Sequence, residues 1–188
     1  MTKKVYQLKI TLIDSKPKIW RQIIVNPETL LVDLHRIIQT TMGWTNSHLH
    51  VFKDKEEEYS PIEFEVENAK NSRIIKLDKI LKREHQFIEY EYDFGDGWEH
   101  EILLEKILEE NEKNQVPRCI GGKRNCPPED CGGLSGYENV IKTISDPDHY
   151  DYEDMMTWLG GEFDPEYFNL NEVNEQLKQK DFGCIWLE

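Results

Sequence analysis

Several signals that would place a protein quickly are missing from this chain. No run of about 18 apolar residues occurs in its 188 positions, which excludes a membrane-spanning helix. The first residues, Met1-Thr2-Lys3-Lys4-Val5-Tyr6, pass directly into an alternating pattern, without the apolar stretch or small-residue cleavage site of a signal peptide. The expected compartment is the cytoplasm. Positive charge is scarce: 23 Lys and Arg face 37 Asp and Glu, a net charge of −14. Nucleic-acid affinity rests largely on cations that neutralise phosphates. Here the cations are scattered or merely paired, as in Lys82-Arg83 and Lys123-Arg124, so nucleic acid is not an expected partner. The chain has no internal repeat, no low-complexity tract and no C-x2-C pair of the kind that marks a zinc finger. Its four cysteines, Cys119, Cys126, Cys131 and Cys184, are read as thiols or metal ligands, since a reducing compartment disfavours disulfides.

What remains describes a globular protein: 38% hydrophobic, 11% aromatic and 32% charged residues. A chain of this length buries roughly 70% of its unfolded surface and needs no covalent staples. The expected organisation is a single domain over 1–188, with a sheet-and-helix core at 1–110, a Cys/Pro/Gly loop at 111–134, and short helices with a tail at 135–188. Residues 5–13 alternate, placing Tyr6, Leu8, Ile10 and Leu12 on one face. The turn Asp14-Ser15-Lys16-Pro17 leads to a second strand over 18–25, and the two make a β-hairpin. Leu30, Leu34, Ile37, Ile38 and Met42 then fall at helical spacing, stopped by Gly43. Leu49 begins a short strand, 54–72 is polar with weak alternation, and 73–83 reads as a short apolar run with one helical turn. The strongest strand signal is 87–94, where Ile88, Tyr90, Tyr92 and Phe94 alternate with Glu89, Glu91 and Asp93. Gly95-Asp96-Gly97 turns the chain into a long partner strand over 98–108.

Beyond Gln115 the pattern changes. Residues 116–134 contain three cysteines, three prolines and four glycines and show no periodicity, which reads as an ordered loop. Ser135 with Glu138 has the form of a capping box opening a helix to Ile144. Met155, Met156, Trp158 and Leu159 suit another short helix, and Asn171 a cap for a last one ending at Leu177. The tail over 182–187 is apolar enough for an edge strand. The expected fold class is α+β: a mixed, mostly antiparallel sheet of two β-hairpins with a crossing helix, an arrangement like the β-grasp, plus a C-terminal group of short helices.

Three groups of residues are candidates for chemistry. Asp93, Asp96, Glu99 and His100 crowd one tight turn, where carboxylates beside an imidazole suit a divalent cation or proton exchange. Asp and Gly are also ordinary turn residues, so a plain structural turn stays open. Asp93-Phe94-Gly95 matches the kinase magnesium triplet, but no glycine-rich loop or His-Arg-Asp loop precedes it. The second group is Cys119, Cys126 and Cys131, spaced C-x6-C-x4-C. A tetrahedral zinc would need a fourth ligand from His100, His149, His48, His50 or Cys184; inert buried thiols are the alternative. Cys131, just before the helix, is the best-placed thiolate. Glu129 and Asp130 lie in the same stretch. The third is His48 with His50, which share a face if both lie on a strand.

Leu34-His35 with Trp44 and His48-Leu49, then Tyr92-Asp93-Phe94-Gly95-Asp96-Gly97-Trp98-Glu99-His100, then Cys126-Pro127-Pro128-Glu129-Asp130-Cys131-Gly132-Gly133 with Gly136-Tyr137, followed by Trp158, Phe163-Asp164-Pro165 and Val173-Asn174, resemble the plasmid Ri ORF-three-like family, whose members are also labelled insertion-element passenger, resolvase-like proteins. The resemblance runs from about residue 5 to residue 178. It implies a prokaryotic, cytosolic protein and assigns no reaction. The residues do not carry the resolvase label. The first serine, Ser15, sits in a lysine-flanked turn, and the six arginines (Arg21, Arg36, Arg73, Arg83, Arg118, Arg124) are dispersed.

Two functions follow as expectations. The first is a binding or accessory module for a protein partner, with zinc as a candidate structural metal at the cysteine loop. The alternative is a metal-dependent hydrolase acting on phosphate or nucleotide groups through Asp93, Asp96, Glu99 and His100, with Glu129 and Asp130 nearby. An enzyme needs its carboxylates to converge in a cleft; a module leaves them along an exposed hairpin tip. A weaker third function, thiol redox chemistry, needs a cysteine of low pKa.

Overall fold

A computed structural model of the chain describes residues 3–111 and 116–184. In chain order the elements are β1 (Lys4–Leu12), β2 (Trp20–Val25), α1 (Leu31–Met42), β3 (His50–Asp54), β4 (Glu57–Ser60), β5 (Lys70–Asn71), α2 (Leu77–Ile80), β6 (Phe87–Tyr92), β7 (Trp98–Glu109), β8 (Arg118–Lys123), α3 (Gly133–Ile144), α4 (Tyr152–Trp158) and α5 (Leu170–Leu177). The fold is α+β. Eight strands form one open sheet in the order β5-β4-β3-β6-β7-β1-β2-β8. Every pairing is antiparallel except β4 with β5.

The period-2 patterns decide which face is buried. Tyr6, Leu8, Ile10 and Leu12 of β1, Ile88, Tyr90 and Tyr92 of β6, and Trp98, His100, Ile102 and Leu104 of β7 all point inward. The register sets Tyr90 opposite His100 and Tyr92 opposite Trp98. Helix α1 lies on this face with Leu31, Leu34, Ile37 and Ile38 fully buried. On the opposite face polar residues meet: the Gln7 and Gln22 amides both donate to Glu105. One buried and one wet face is the usual economy of an antiparallel sheet. Arg21 is buried, and among the described residues no carboxylate pairs with it. Its guanidinium donates to the carbonyls of Thr41 (2.6 Å), Trp20 (2.9 Å) and Lys123 (3.1 Å), and Phe168 stacks on it at 4.5 Å.

Several expectations require correction. The stretch 111–134 is not all loop, because 118–123 forms β8 on the edge of β2. Its Gly121-Gly122 leaves no alternation to read. Gly122 is there because a Cβ would lie 2.5 Å from the Phe168 ring. The free edge of β8 is matched by a side chain: Asn174 of α5 accepts from the Cys119 N–H and donates to the Cys119 carbonyl, both at 2.9 Å. Within 54–72, β4 pairs back on β3. The Ser135 capping box does not form. Helix α3 starts earlier, after Gly132, and the Ser135 hydroxyl turns back to the Gly132 carbonyl. Asn169 rather than Asn171 caps α5, accepting from the N–H groups of Asn171 and Glu172. In the tail, Lys180–Gly183 is a 3₁₀ turn, not a strand; residues 185–188 lie outside the described residues.

Candidate metal and ligand site

Three connecting segments meet at one end of the sheet: 43–49 between α1 and β3, 93–97 between β6 and β7, and 124–132 between β8 and α3. Each contributes one ligating side chain. The His48 Nε2 lies 3.6 Å from Asp93 Oδ2 and 3.3 Å from Asp130 Oδ1. One ligand atom from each of the three lies within 4.8 Å of the others, a convergence of three such groups found nowhere else among the described residues. The His48 Nε2 is shielded from solvent and makes no hydrogen bond, although two carboxylates face it. Asp93 is buried, Asp130 exposed.

The local backbone explains the placement. Asp93 and Asp130 both occupy the left-handed region, at φ 58° each, which Asp tolerates better than most residues. Asp93 Oδ1 accepts from Gly95 N–H at 2.9 Å and its own N–H donates to the Leu49 carbonyl at 2.9 Å. This leaves Oδ2 facing His48. Two joints hold the segments together. Glu129 accepts from the Thr45 N–H (3.3 Å), from the Thr45 hydroxyl and from the Tyr92 hydroxyl, while Tyr92 accepts from Ser47 N–H at 2.9 Å. Asp96 Oδ2 accepts from Gly132 N–H at 3.1 Å. A Cβ at Gly133 would sit 2.5 Å from the Asp96 carbonyl oxygen, so only glycine allows that approach. Trp44 completes the floor, its Nε1 donating to the Pro127 carbonyl at 3.1 Å.

Beneath the site lies a buried polar layer. His35 Nδ1 is 2.8 Å from the Tyr90 hydroxyl and Nε2 is 2.7 Å from Asn46 Oδ1. The Gln39 side chain bonds both Tyr90 and the Asn46 N–H. His50 stacks on His35 with centroids 3.5 Å apart. Burial lowers the pKa of His35 to about 4 and that of His50 well below the usual imidazole range. Burial thus disfavours the charged form of both rings.

The residues nominated from sequence therefore separate. The turn at 93–97 and the stretch at 129–132 do meet, through Asp93, Asp130 and the Asp96–Gly132 bond. His100 is not with them. It is fully buried under Tyr90 and Trp44, its pKa lowered to about 4 by burial. Glu99 points to the other, exposed face of β7. His48 and His50 do not share a ligand position, because His48 precedes β3 while His50 is buried within it.

Nor do the cysteines gather around a centre. Cys119 is on β8 with its thiol directed at the Gly121 carbonyl. Cys126 is buried under the site, and the Cys131 thiol faces the Gly133 carbonyl. His149 sits in the turn before α4, where its Nδ1 accepts from Asp151 N–H and its ring stacks on Tyr150. Burial pushes the pKa of every thiol up, Cys131 to about 12 and Cys184 to about 11. At Cys131 desolvation and the nearby Asp96 and Asp130 charges outweigh the helix start, which runs against the low pKa that thiol redox chemistry needs. Trp44 and Tyr92 belong to the motifs quoted from the sequence but carry no signal there as positioning residues, and Thr45 only neighbours them.

Beside Asp130 opens a cleft of about 430 Å³, walled by Trp44, Pro127, Trp158, Leu159 and Phe163. Two carboxylates and an imidazole form a donor set for Mn²⁺, Mg²⁺ or Zn²⁺, and three protein ligands leave positions open for water or a ligand oxygen.

Comparison with known proteins agrees with this architecture. The model of the plasmid pRiA4b ORF-3-like protein family matches residues 4–172. The uncharacterized protein y4hQ of Sinorhizobium fredii (strain NBRC 101917 / NGR234) is 32% identical, over 99% of this chain and 96% of its own. The crystal structure of MM3350, a protein of unknown function from Methanosarcina mazei Go1, is 38% identical and superposes with a TM-score of 0.83, over 92% of this chain and 99% of its own.

Proposed function

This chain belongs to the plasmid pRiA4b ORF-3-like family, and from that premise we propose that it is a small binding module that holds one divalent cation at His48, Asp93 and Asp130 and uses it to capture a phosphate-bearing ligand. The observation that carries this reading is the convergence of three ligating groups from three separate segments. A shielded imidazole nitrogen without a hydrogen bond, facing two carboxylates, is an arrangement that a cation satisfies. With a net charge of −14, the protein repels a phosphate unless a cation offsets the field. The test is calorimetric titration of the metal-stripped protein with Mn²⁺. One site is expected. Asp93→Asn and Asp130→Asn are expected to weaken it by at least the ~10–100-fold that losing an outer-sphere partner costs. Unchanged affinity in both variants contradicts the proposal.

One observation favours a second reading, hydrolysis. Asp93 and Asp130 converge, and Asp130 lines a neighbouring cleft; a cation with open positions can polarise both a phosphoryl oxygen and a water. Under this reading a generic aryl phosphate turns over in the presence of Mn²⁺, and Asp130→Asn abolishes the turnover. Binding without turnover leaves the module reading alone.

A further inference from the structure

We infer that the ligand of this site is a nucleoside monophosphate, its phosphate on the cation and its base against Trp158. The inference rests on the cation reading above and names its substrate class. The cleft walls are aromatic and apolar: Trp158 on α4, with Phe163, Leu159, Pro127 and the edge of Trp44. Trp158 is 49% exposed, and α4 contains no buried residue. A tryptophan left half in water on a helix that packs none of its residues into the core contributes little to folding. It offers a flat apolar surface to a planar ring. Base–aromatic stacking uses such a surface and needs no dedicated hydrogen bonds.

The polar side of the cleft fits the same ligand. Among the described residues no Lys or Arg lines it, so a phosphate entering it finds no fixed cation there other than a bound metal. Three of the nearby backbone donors are already engaged: Thr45 N–H with Glu129, Asn125 N–H with the Pro165 carbonyl, Cys126 N–H with the Asn125 side chain. Recognition is thus divided between a metal at Asp130 and an aromatic wall across the same cavity. The volume of about 430 Å³ lies in the range of small-molecule sites and exceeds what a lone phosphate fills.

The experiment is calorimetric titration of the full chain, loaded with Mn²⁺, with AMP, ribose 5-phosphate and adenosine. AMP is expected to bind, with ribose 5-phosphate and adenosine each weaker by about tenfold or more. Trp158→Ala is expected to weaken AMP roughly tenfold to a hundredfold while leaving Mn²⁺ affinity unchanged, and Trp158→Phe to retain most of the AMP affinity. If AMP binds no better than ribose 5-phosphate, or Trp158→Ala leaves AMP unaffected, while Mn²⁺ still binds, the nucleotide inference falls and the cation reading stands. If Mn²⁺ does not bind at all, both fall.

Discussion

Glu129 shows how much one side chain can organise without touching a ligand. Its two oxygens collect the Thr45 N–H, the Thr45 hydroxyl and the Tyr92 hydroxyl, and so fix the segment that carries His48. Glu129→Ala leaves those donors unpaired, at a cost of about 1–3 kcal/mol. It is expected to weaken Mn²⁺ through misplacement of His48, and Glu129→Gln to recover part of both losses. Thermal unfolding and metal titration of the two variants check this. The buried histidines make a separate prediction. His35 and His100 have folded pKa values of about 4 against an ordinary 6.5, so the unfolded chain binds more protons between those limits. Stability is therefore present above pH ~6.5 and lost as the pH falls toward 4, by about 3 kcal/mol per ring. Urea titrations at steps between pH 7 and pH 4 are expected to show this fall, and a Tyr90→Phe variant, which removes a partner of His35 and Gln39, to unfold at higher pH than the wild type.

At the scale of elements, what was legible in the sequence followed the strength of its patterns. Strand β6 was visible because Ile88, Tyr90 and Tyr92 alternate with glutamates that face water. The helix α1 was visible from its apolar spacing and its terminal Gly43. Strand β8 was not, since its Gly121-Gly122 carries no alternation and its outer edge is satisfied by Asn174 from a helix some 50 residues later. Asn174→Ala is expected to destabilise the protein by about 1–2 kcal/mol by leaving both Cys119 backbone groups unpaired, measurable as a lowered urea midpoint with unchanged slope. The start of α3 was misplaced for a related reason. The Ser135 signal is local, whereas the true boundary is set by Gly133 resting against the Asp96 carbonyl. Gly133→Ala forces those segments apart, and it is expected to reduce Mn²⁺ affinity along with stability.

For the molecule as a whole, the candidate site is a product of topology. The sequence pattern groups Asp93 with His100 at one turn and His48 with His50 on one strand face, and sets Asp130 near Asp93 only in the hydrolase reading, whereas the fold joins Asp93, Asp130 and His48. Strand alternation sends His100 inward and Glu99 outward, and the sheet order brings the segments at 43–49, 93–97 and 124–132 to one end. No spacing rule in a single chain encodes that meeting. The cysteines stand out by composition, yet the fold buries Cys119, Cys126 and Cys184, leaves Cys131 half-buried, and brings no three of them together as a ligand set. The overall acidity acts at this scale too. A net charge of −14 draws cations toward the site, and Mn²⁺ affinity is expected to fall as salt screens that field.

A cation at the meeting of the three segments is visible to anomalous scattering from crystals grown with Mn²⁺. One strong peak is expected, bonded to His48 Nε2 and to the carboxylates of Asp93 and Asp130, with further ligands toward the cleft. A crystal with no peak there, or with its peak among Cys119, Cys126 and Cys131, would contradict it.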